Sequence, residues 1–440
     1  MQHAALEAFV DSLGETALDW RFKGFGTLAR PLTLAEVQEV GVDLHELGTP
    51  MMTIDVSAVA DNLLSMARWC TERGLQLAPH GKTTMAPVLW LGQLMTGSSG
   101  ITVANAGQLR AARAFGVESL VLANELINPA DIVWVATELA AHPGFRFLCW
   151  VDSVDDVARV EAAVAGRTGT APLEVCVEVG AGGGRTGARG LDEVLQVARA
   201  VVASDAVRLA GLSCYEGAVP GAGTDEEGLA AVDDFLLLVR RCHEALSELY
   251  ETPRVTVTAG GSAYFDRVAH HLGPLAGSTR VGGSGGQVVD VVLRSGAYVV
   301  HDDVHYRAVT PSTRGDGPPL RAAIHVWSTV ISRPEADLVI LDAGRRDVPF
   351  DLDLPVVLGA SRAAGATRTG VEVGPAEVLR LNDQHAFVRI EPGSPLLVGD
   401  VVKLGLSHPC TAFDKWRAIP MIDSADVAAP RVSDVALTFF

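Results

Sequence analysis

Lys82 stands in Ala78-Pro79-His80-Gly81-Lys82-Thr83-Thr84, directly after the β-like run LQLAPH. A lysine at a strand end, pointing into the mouth of a barrel with apolar walls, can lose its charge and act as an amine nucleophile. Schiff-base formation with a carbonyl needs that uncharged amine. A lone loop lysine is ordinarily just a solvated cation, so the weight falls on its company. Two later strand ends carry Ala259-Gly260-Gly261-Ser262 and Arg294-Ser295-Gly296-Ala297-Tyr298. Glycines there let backbone N–H groups approach a phosphate, the usual anion site at the end of a barrel. Ordinary tight turns would look the same in a chain with 45 glycines.

Three further segments could do chemistry. PLEVCVEV runs into Gly180-Ala181-Gly182-Gly183-Gly184-Arg185-Thr186-Gly187, which contains a literal G-x-G-x-x-G. A dinucleotide fold would open with that motif and place an acidic residue at the end of the next strand. Here the motif lies mid-series rather than opening it, which disfavours nicotinamide binding. GLSCYEG puts Tyr215 near a strand end, where its ring could flank a planar cofactor or simply fill the core. Ser407-His408-Pro409-Cys410-Thr411 spaces an imidazole and a thiol two residues apart. In an extended segment both point to one side and could grip one ion, and that donor pair favours zinc. A buried thiol beside a chance histidine is the bland alternative.

These residues need elements to position them. LQLAPH, ITVAN, SLVLAN, FRFLCWVD, PLEVCVEV, VRLAGLSCY, RVTVTAGG and QVVDVVLRSG alternate with amphipathic stretches such as LDEVLQVARAVVA. Near-continuous apolar strands alternating with helices indicate a helix-covered parallel sheet, and eight units fit a (β/α)8 barrel. After about residue 300, short Val-rich, turn-bounded runs such as HVWSTVISR and DVVKLGLS predict an antiparallel β domain. The expected class is therefore α/β, a TIM barrel over 46–300 with a C-terminal antiparallel β domain over 301–440. PMMTID, within 46–55, could add a strand to that second domain, and residues 1–45 read as an N-terminal extension.

Of 440 residues, 48% are hydrophobic, so the chain folds. Its 35 basic against 53 acidic side chains give 35 − 53 = −18. That argues against nucleic-acid partners and against an anionic membrane surface. The six cysteines are scattered, and no apolar stretch of roughly 18 residues appears. With no secretory signal visible, a cytoplasmic location is expected.

Taken in order, the motifs resemble those of the fold-type III pyridoxal-phosphate enzymes of the alanine racemase N-terminal domain superfamily, specifically the D-serine dehydratase and D-threonine aldolase group. The resemblance covers about 45–425. Its P-H-x-K-T motif matches Pro79, His80, Lys82 and Thr83, and its R-T-G segment Arg185, Thr186 and Gly187. G-G-[ST] matches Gly260, Gly261 and Ser262, R-x-G-x-Y matches Arg294, Gly296 and Tyr298, and H-x-C matches His408 and Cys410. Relatives often carry Arg and His where this chain has Ala78 and Thr84, and Glu-His-Gly where it has Gln384-His385-Ala386.

The resemblance implies pyridoxal phosphate on Lys82, with His80, Arg185, Tyr215, Gly260, Gly261, Ser262, Gly296, Ala297 and Tyr298 around it. It implies a divalent metal, zinc foremost, at His408 and Cys410, and a homodimer. Two-base racemisation needs a tyrosine from the β domain, whereas the last tyrosine here is Tyr306. The His-x-Cys pair points to dehydration of a D-3-hydroxy amino acid such as D-serine or D-threonine to a 2-oxo acid and ammonia. A metal-activated D-threonine or D-3-hydroxy-amino-acid aldolase is the alternative reaction, and a non-catalytic pyridoxal-phosphate protein the alternative class.

Overall fold

The computed structural model describes residues 3–280, 286–364 and 367–440. The eight barrel strands are Gln76–Leu77, Ile101–Val103, Ser119–Glu125, Arg146–Val151, Leu173–Gly180, Val207–Cys214, Arg254–Ala259 and Gln287–Leu293. Each from the second onward is parallel to the next. The ring closes on the first strand from both sides. Val292 and Leu293 pair with Gln76 and Leu77, and His80 bridges to Thr102. At that seam Thr102 N–H donates to Pro79 O at 2.9 Å, and the Thr102 hydroxyl donates to Ala78 O at 2.6 Å.

Local sequence sets this alternation. Every residue of Leu173–Gly180 except Glu174 is buried, as expected for a strand covered on both faces. In Leu191–Val202 the buried positions are Val194, Val197, Ala198 and Val201, one helical face. Asn105, Asn128, Ser153 and Asp225 each accept a backbone N–H from the first turn of the following helix. Such caps satisfy donors the helix start leaves unpaired. They fix each reversal just past a strand's C-terminal end, where the chemistry-bearing residues lie.

The second sheet is antiparallel-rich. Ile324–Glu335 pairs with Val401–Gly405 and with Met51–Asp55. Ala418–Ile422 meets the other edge of Met51–Asp55, in parallel, and pairs with Arg431–Leu437. Met51–Asp55 is thus an interior strand of this sheet, and all five of its residues are buried. The Asp55 carboxylate then accepts from Ala58 N at 2.9 Å, capping helix Val56–Glu72. It also accepts from Ala425 N at 2.9 Å, so one side chain joins the helix that leads into the barrel to the second sheet.

Residues 3–45 are built into both parts. Helix Ala4–Ser12 packs on helix Pro87–Met95, and Phe9 stacks on Phe115 with centroids 4.7 Å apart. Val42–Asp43 pairs with Arg431 and Val432. Among the described residues no helix is long and apolar enough to cross a membrane.

Candidate active site

Gly81–Thr83 form a 3-10 turn just beyond the first barrel strand. A Cβ on Gly81 would lie 2.7 Å from Ile101 and Trp90 atoms, so only glycine fits there. The indole Nε1 of Trp90 donates to Gly81 O at 3.2 Å and holds the turn. Lys82 is half-buried at its centre. Among the described residues its Nζ has no hydrogen-bond or ion-pair partner. His80 precedes it, with a buried Nδ1 that finds no partner. Burial foremost, with the nearby cations Lys82, Arg294 and Arg185, holds His80 well below its ordinary value. Its surroundings therefore favour the neutral imidazole.

Against this turn the second domain sets Pro409–Thr411. The Thr83 hydroxyl lies 3.2 Å from Cys410 Sγ. His408 has a left-handed backbone, φ 33°, strain that a non-glycine residue adopts only when its surroundings impose it. Its Nδ1 lies 2.5 Å from Asp351 Oδ2, and the Thr411 hydroxyl donates to Asp351 Oδ1 at 2.7 Å. Contact with Cys410, then the Asp351 charge, pushes His408 up to about 9 against the opposing effect of burial. With Nδ1 held by Asp351, Nε2 is the nitrogen left to bind an ion beside Cys410.

Arg185 and Tyr215 come together as well. The guanidinium lies over the phenol ring, 5.2 Å from its centroid, and burial raises the Tyr215 pKa. Gly187 is explained without a nucleotide: φ is +98°, and a Cβ there would lie 2.4 Å from Gly180 N. The glycine-rich segment therefore folds back on its own strand. Its Gly187 N–H donates to Asp152 Oδ2 at 2.9 Å.

The phosphate residues read from the sequence differ in part. The N–H groups of Gly260 and Gly261 do not stand open; they donate to Glu216 Oε2 at 3.0 Å and Oε1 at 2.6 Å. A fully buried carboxylate needs such donors, and the neighbouring strand end supplies them. Tyr298 is placed in the core at 2% exposure rather than at the mouth. There its hydroxyl bonds Gln93 and Ser98, and burial raises its pKa. A large ring gains more from apolar packing than a rim position offers. Gly296 serves closure: a Cβ would come 2.4 Å from His80 O. Ser262 and Ala297 do meet, Ala297 N–H donating to Ser262 Oγ at 3.3 Å.

Sequence reasoning missed four groups. Asp351 and Glu216 are described above. Tyr306 is half-buried with its hydroxyl bonded to Ser262; burial foremost, with Cys410 and Tyr215 close by, raises its pKa. Glu125, Asp152 and Glu178 end the third, fourth and fifth strands with ligand atoms within 4.8 Å of one another. Burial, then the Glu178 charge, pushes Glu125 up to about 8. Glu216, Glu125, Asp152 and Glu178 had a local signal, since each stands at or beside a strand end; Asp351 and Tyr306 had none.

The residues present suit both groups that the sequence resemblance implies. An unpartnered lysine, an orphaned imidazole nitrogen and an arginine over a tyrosine ring lie near one another. Imidazole and thiol beside an orienting carboxylate form a donor set of zinc type.

Residues 54–283 match the family model described as alanine racemase, N-terminal domain. Residues 323–422 match the putative serine dehydratase domain. Among curated proteins the chain is 27% identical over 394 residues to a D-threonine aldolase from Arthrobacter sp., covering 88% of this chain and 92% of that one. It is 26% identical to a 3-hydroxy-D-aspartate aldolase from Paracoccus denitrificans, covering 86% and 90%. Of solved structures, the D-threonine aldolase from Filomicrobium marinum superposes with TM-score 0.73 at 21% identity, covering 90% and 97%. The D-threo-3-hydroxyaspartate dehydratase from Delftia sp. HT23 gives 0.66 at 21%, covering 89% and 98%. One structure of that dehydratase is of a cysteine-to-alanine mutant in a metal-free form. Barrel, motif order and the match over 54–283 agree: the chain belongs to the alanine racemase N-terminal domain family, with a putative serine dehydratase domain following the barrel.

Proposed function

We propose that this protein is a pyridoxal-phosphate- and metal-dependent lyase acting on D-3-hydroxy amino acids, and that it releases ammonia and a 2-oxo acid. The observation that carries this is the 3.2 Å approach of Thr83 to Cys410. It brings the His408–Cys410 pair to the turn bearing Lys82, so one substrate can meet the lysine and an ion together.

Bound at Lys82, the cofactor would withdraw electrons from the substrate's α-carbon; an ion at His408 and Cys410 would polarise the β-hydroxyl. The chain's own residues do the rest. Lys82 is the base that takes the α-proton through Nζ. Neutral His80 lines the mouth beside it without adding charge. Arg185 and Tyr215, packed together, would hold the cofactor and keep a cation beside it. Ser262 would be among the residues that hold its phosphate. Asp351 fixes the His408 ring and leaves Nε2 as the nitrogen that would hold an ion. No tyrosine follows Tyr306, which disfavours a tyrosine from the β strands as a second base.

The names of the curated relatives support a second reaction on the same site, cleavage between Cα and Cβ to glycine and an aldehyde. Cys410 favours dehydration. The deciding experiment incubates purified holoenzyme with D- and L-3-hydroxy amino acids, with and without chelator. Ammonia with 2-oxo acid supports dehydration; glycine with aldehyde overturns it in favour of the aldolase. A yellow protein inert on D-serine, D-threonine and D-3-hydroxyaspartate would overturn both.

A further inference from the structure

Glu216 opens a 3-10 turn after the sixth barrel strand and is 0% exposed. Its two oxygens take the N–H groups of Gly260 and Gly261, at 3.0 and 2.6 Å. The carbonyl side of the same turn is held too, because Ser295 Oγ donates to Gly260 O at 3.3 Å and to Gly261 O at 3.1 Å. The turn also touches Tyr215: a Cβ on Gly261 would lie 2.9 Å from Tyr215 Cε2 and 3.4 Å from Glu216 Oε1. Gly260 has φ +99°, so its backbone needs glycine as well. An arriving anion could use these N–H groups only by expelling a buried carboxylate, or by standing beside it. Like charges in a poorly solvated site repel strongly.

We infer that Glu216 is a positioning residue that braces the Gly260–Gly261 turn from within. It places Tyr215 against the turn and leaves the cofactor's phosphate to the Ser262 side. The inference rests on the pyridoxal-phosphate reading above and deepens it.

The test is cofactor affinity, measured without turnover. Cofactor-stripped wild type, Glu216→Gln and Glu216→Ala are titrated with pyridoxal phosphate and with phosphate-free pyridoxal, followed by absorbance. If Glu216 braces the turn, both variants bind pyridoxal phosphate about ten- to a hundredfold more weakly, the size expected for a buried donor left unpaired. Pyridoxal affinity changes much less, so the preference for the phosphorylated form shrinks. If the two N–H groups are instead the phosphate site, removing the carboxylate frees them, and Glu216→Ala binds pyridoxal phosphate as tightly as wild type or more tightly. That result overturns the inference. Glu216→Gln keeps side-chain volume and one acceptor, so it decides the matter where the alanine variant does not fold. A wild type that binds neither compound overturns the cofactor reading itself, which is told apart because it fails before any variant is compared.

Discussion

The Thr83 hydroxyl and the Cys410 sulfur meet at 3.2 Å across 327 positions of sequence. Thr83 belongs to the barrel and Cys410 to the second sheet, so this contact fixes the distance between two chemistries encoded far apart. Lys82 and His408 are the immediate and next-nearest sequence neighbours of that contact. Their common space follows from it.

Lys82→Ala should abolish the borohydride-reducible protein adduct and lower turnover by about a hundredfold or more, the usual contribution of a positioned acid–base group. Mass spectrometry after reduction reads the first effect. An adduct that survives the substitution means that another amine holds the cofactor.

His408→Ala and Cys410→Ala should each remove ammonia release while the absorbance of bound cofactor persists. Chelation of the wild type should do the same, and zinc should restore it. Unchanged ammonia release in either variant would falsify the metal role.

Asp351→Asn leaves the size of the side chain but removes the charge at 2.5 Å from His408 Nδ1. Loss of such an orienting carboxylate costs about 10–100-fold in metal affinity. Competition with a chromogenic chelator measures it, and an unchanged zinc dissociation constant would show that Asp351 does not orient the ligand.

Glu125 gives a pH dependence. Its pKa in the folded protein is pushed up to about 8, first by burial and then by Glu178. The folded state therefore holds a proton that the unfolded chain loses nearer pH 4.5. Stability from this group is fully present below the unfolded value and falls as pH rises through about 8. Melting temperature should drop between pH 6 and pH 9 in the wild type. In Glu125→Gln, which carries no titrating proton there, that drop should be smaller. Parallel curves for the two proteins would place the effect elsewhere.

Gly296→Ala should destabilise the fold by about 1–3 kcal/mol, the usual cost of overpacking. The added Cβ would come 2.4 Å from His80 O at the barrel seam. Urea denaturation checks this, and an unchanged midpoint would mean that the seam yields freely.

Much of this was legible because it is local. Each barrel strand reads as an apolar run ending in glycine or polar residues, and Lys82 lies within a few residues of its own strand. His408 and Cys410 need only spacing to be noticed. What was not legible depends on which distant side chain arrives. Asp351 reaches His408 from 57 positions away, with no spacing rule to announce it. Tyr298 looked like a mouth residue because its motif follows a strand end; which way a 3-10 turn faces is decided by packing against Gln93 and Ser98. Gly260 and Gly261 were read as a phosphate cradle, and the two N–H groups instead meet a carboxylate of the same chain. The anion that found them is Glu216, on the neighbouring strand end.

Met51–Asp55 has one consequence for how the molecule is made. This strand leaves the ribosome before any barrel strand, yet its partners Ile324–Glu335 and Ala418–Ile422 emerge only after the whole barrel. Until then both its edges are unpaired, and unpaired edges invite wrong partners. Contacts so distant in sequence form late, because the loop must close before they can contribute. His408 and Cys410 are therefore carried to the lysine turn among the last events of folding. A chain stopped at the end of the barrel would be left with an orphaned strand at its entrance.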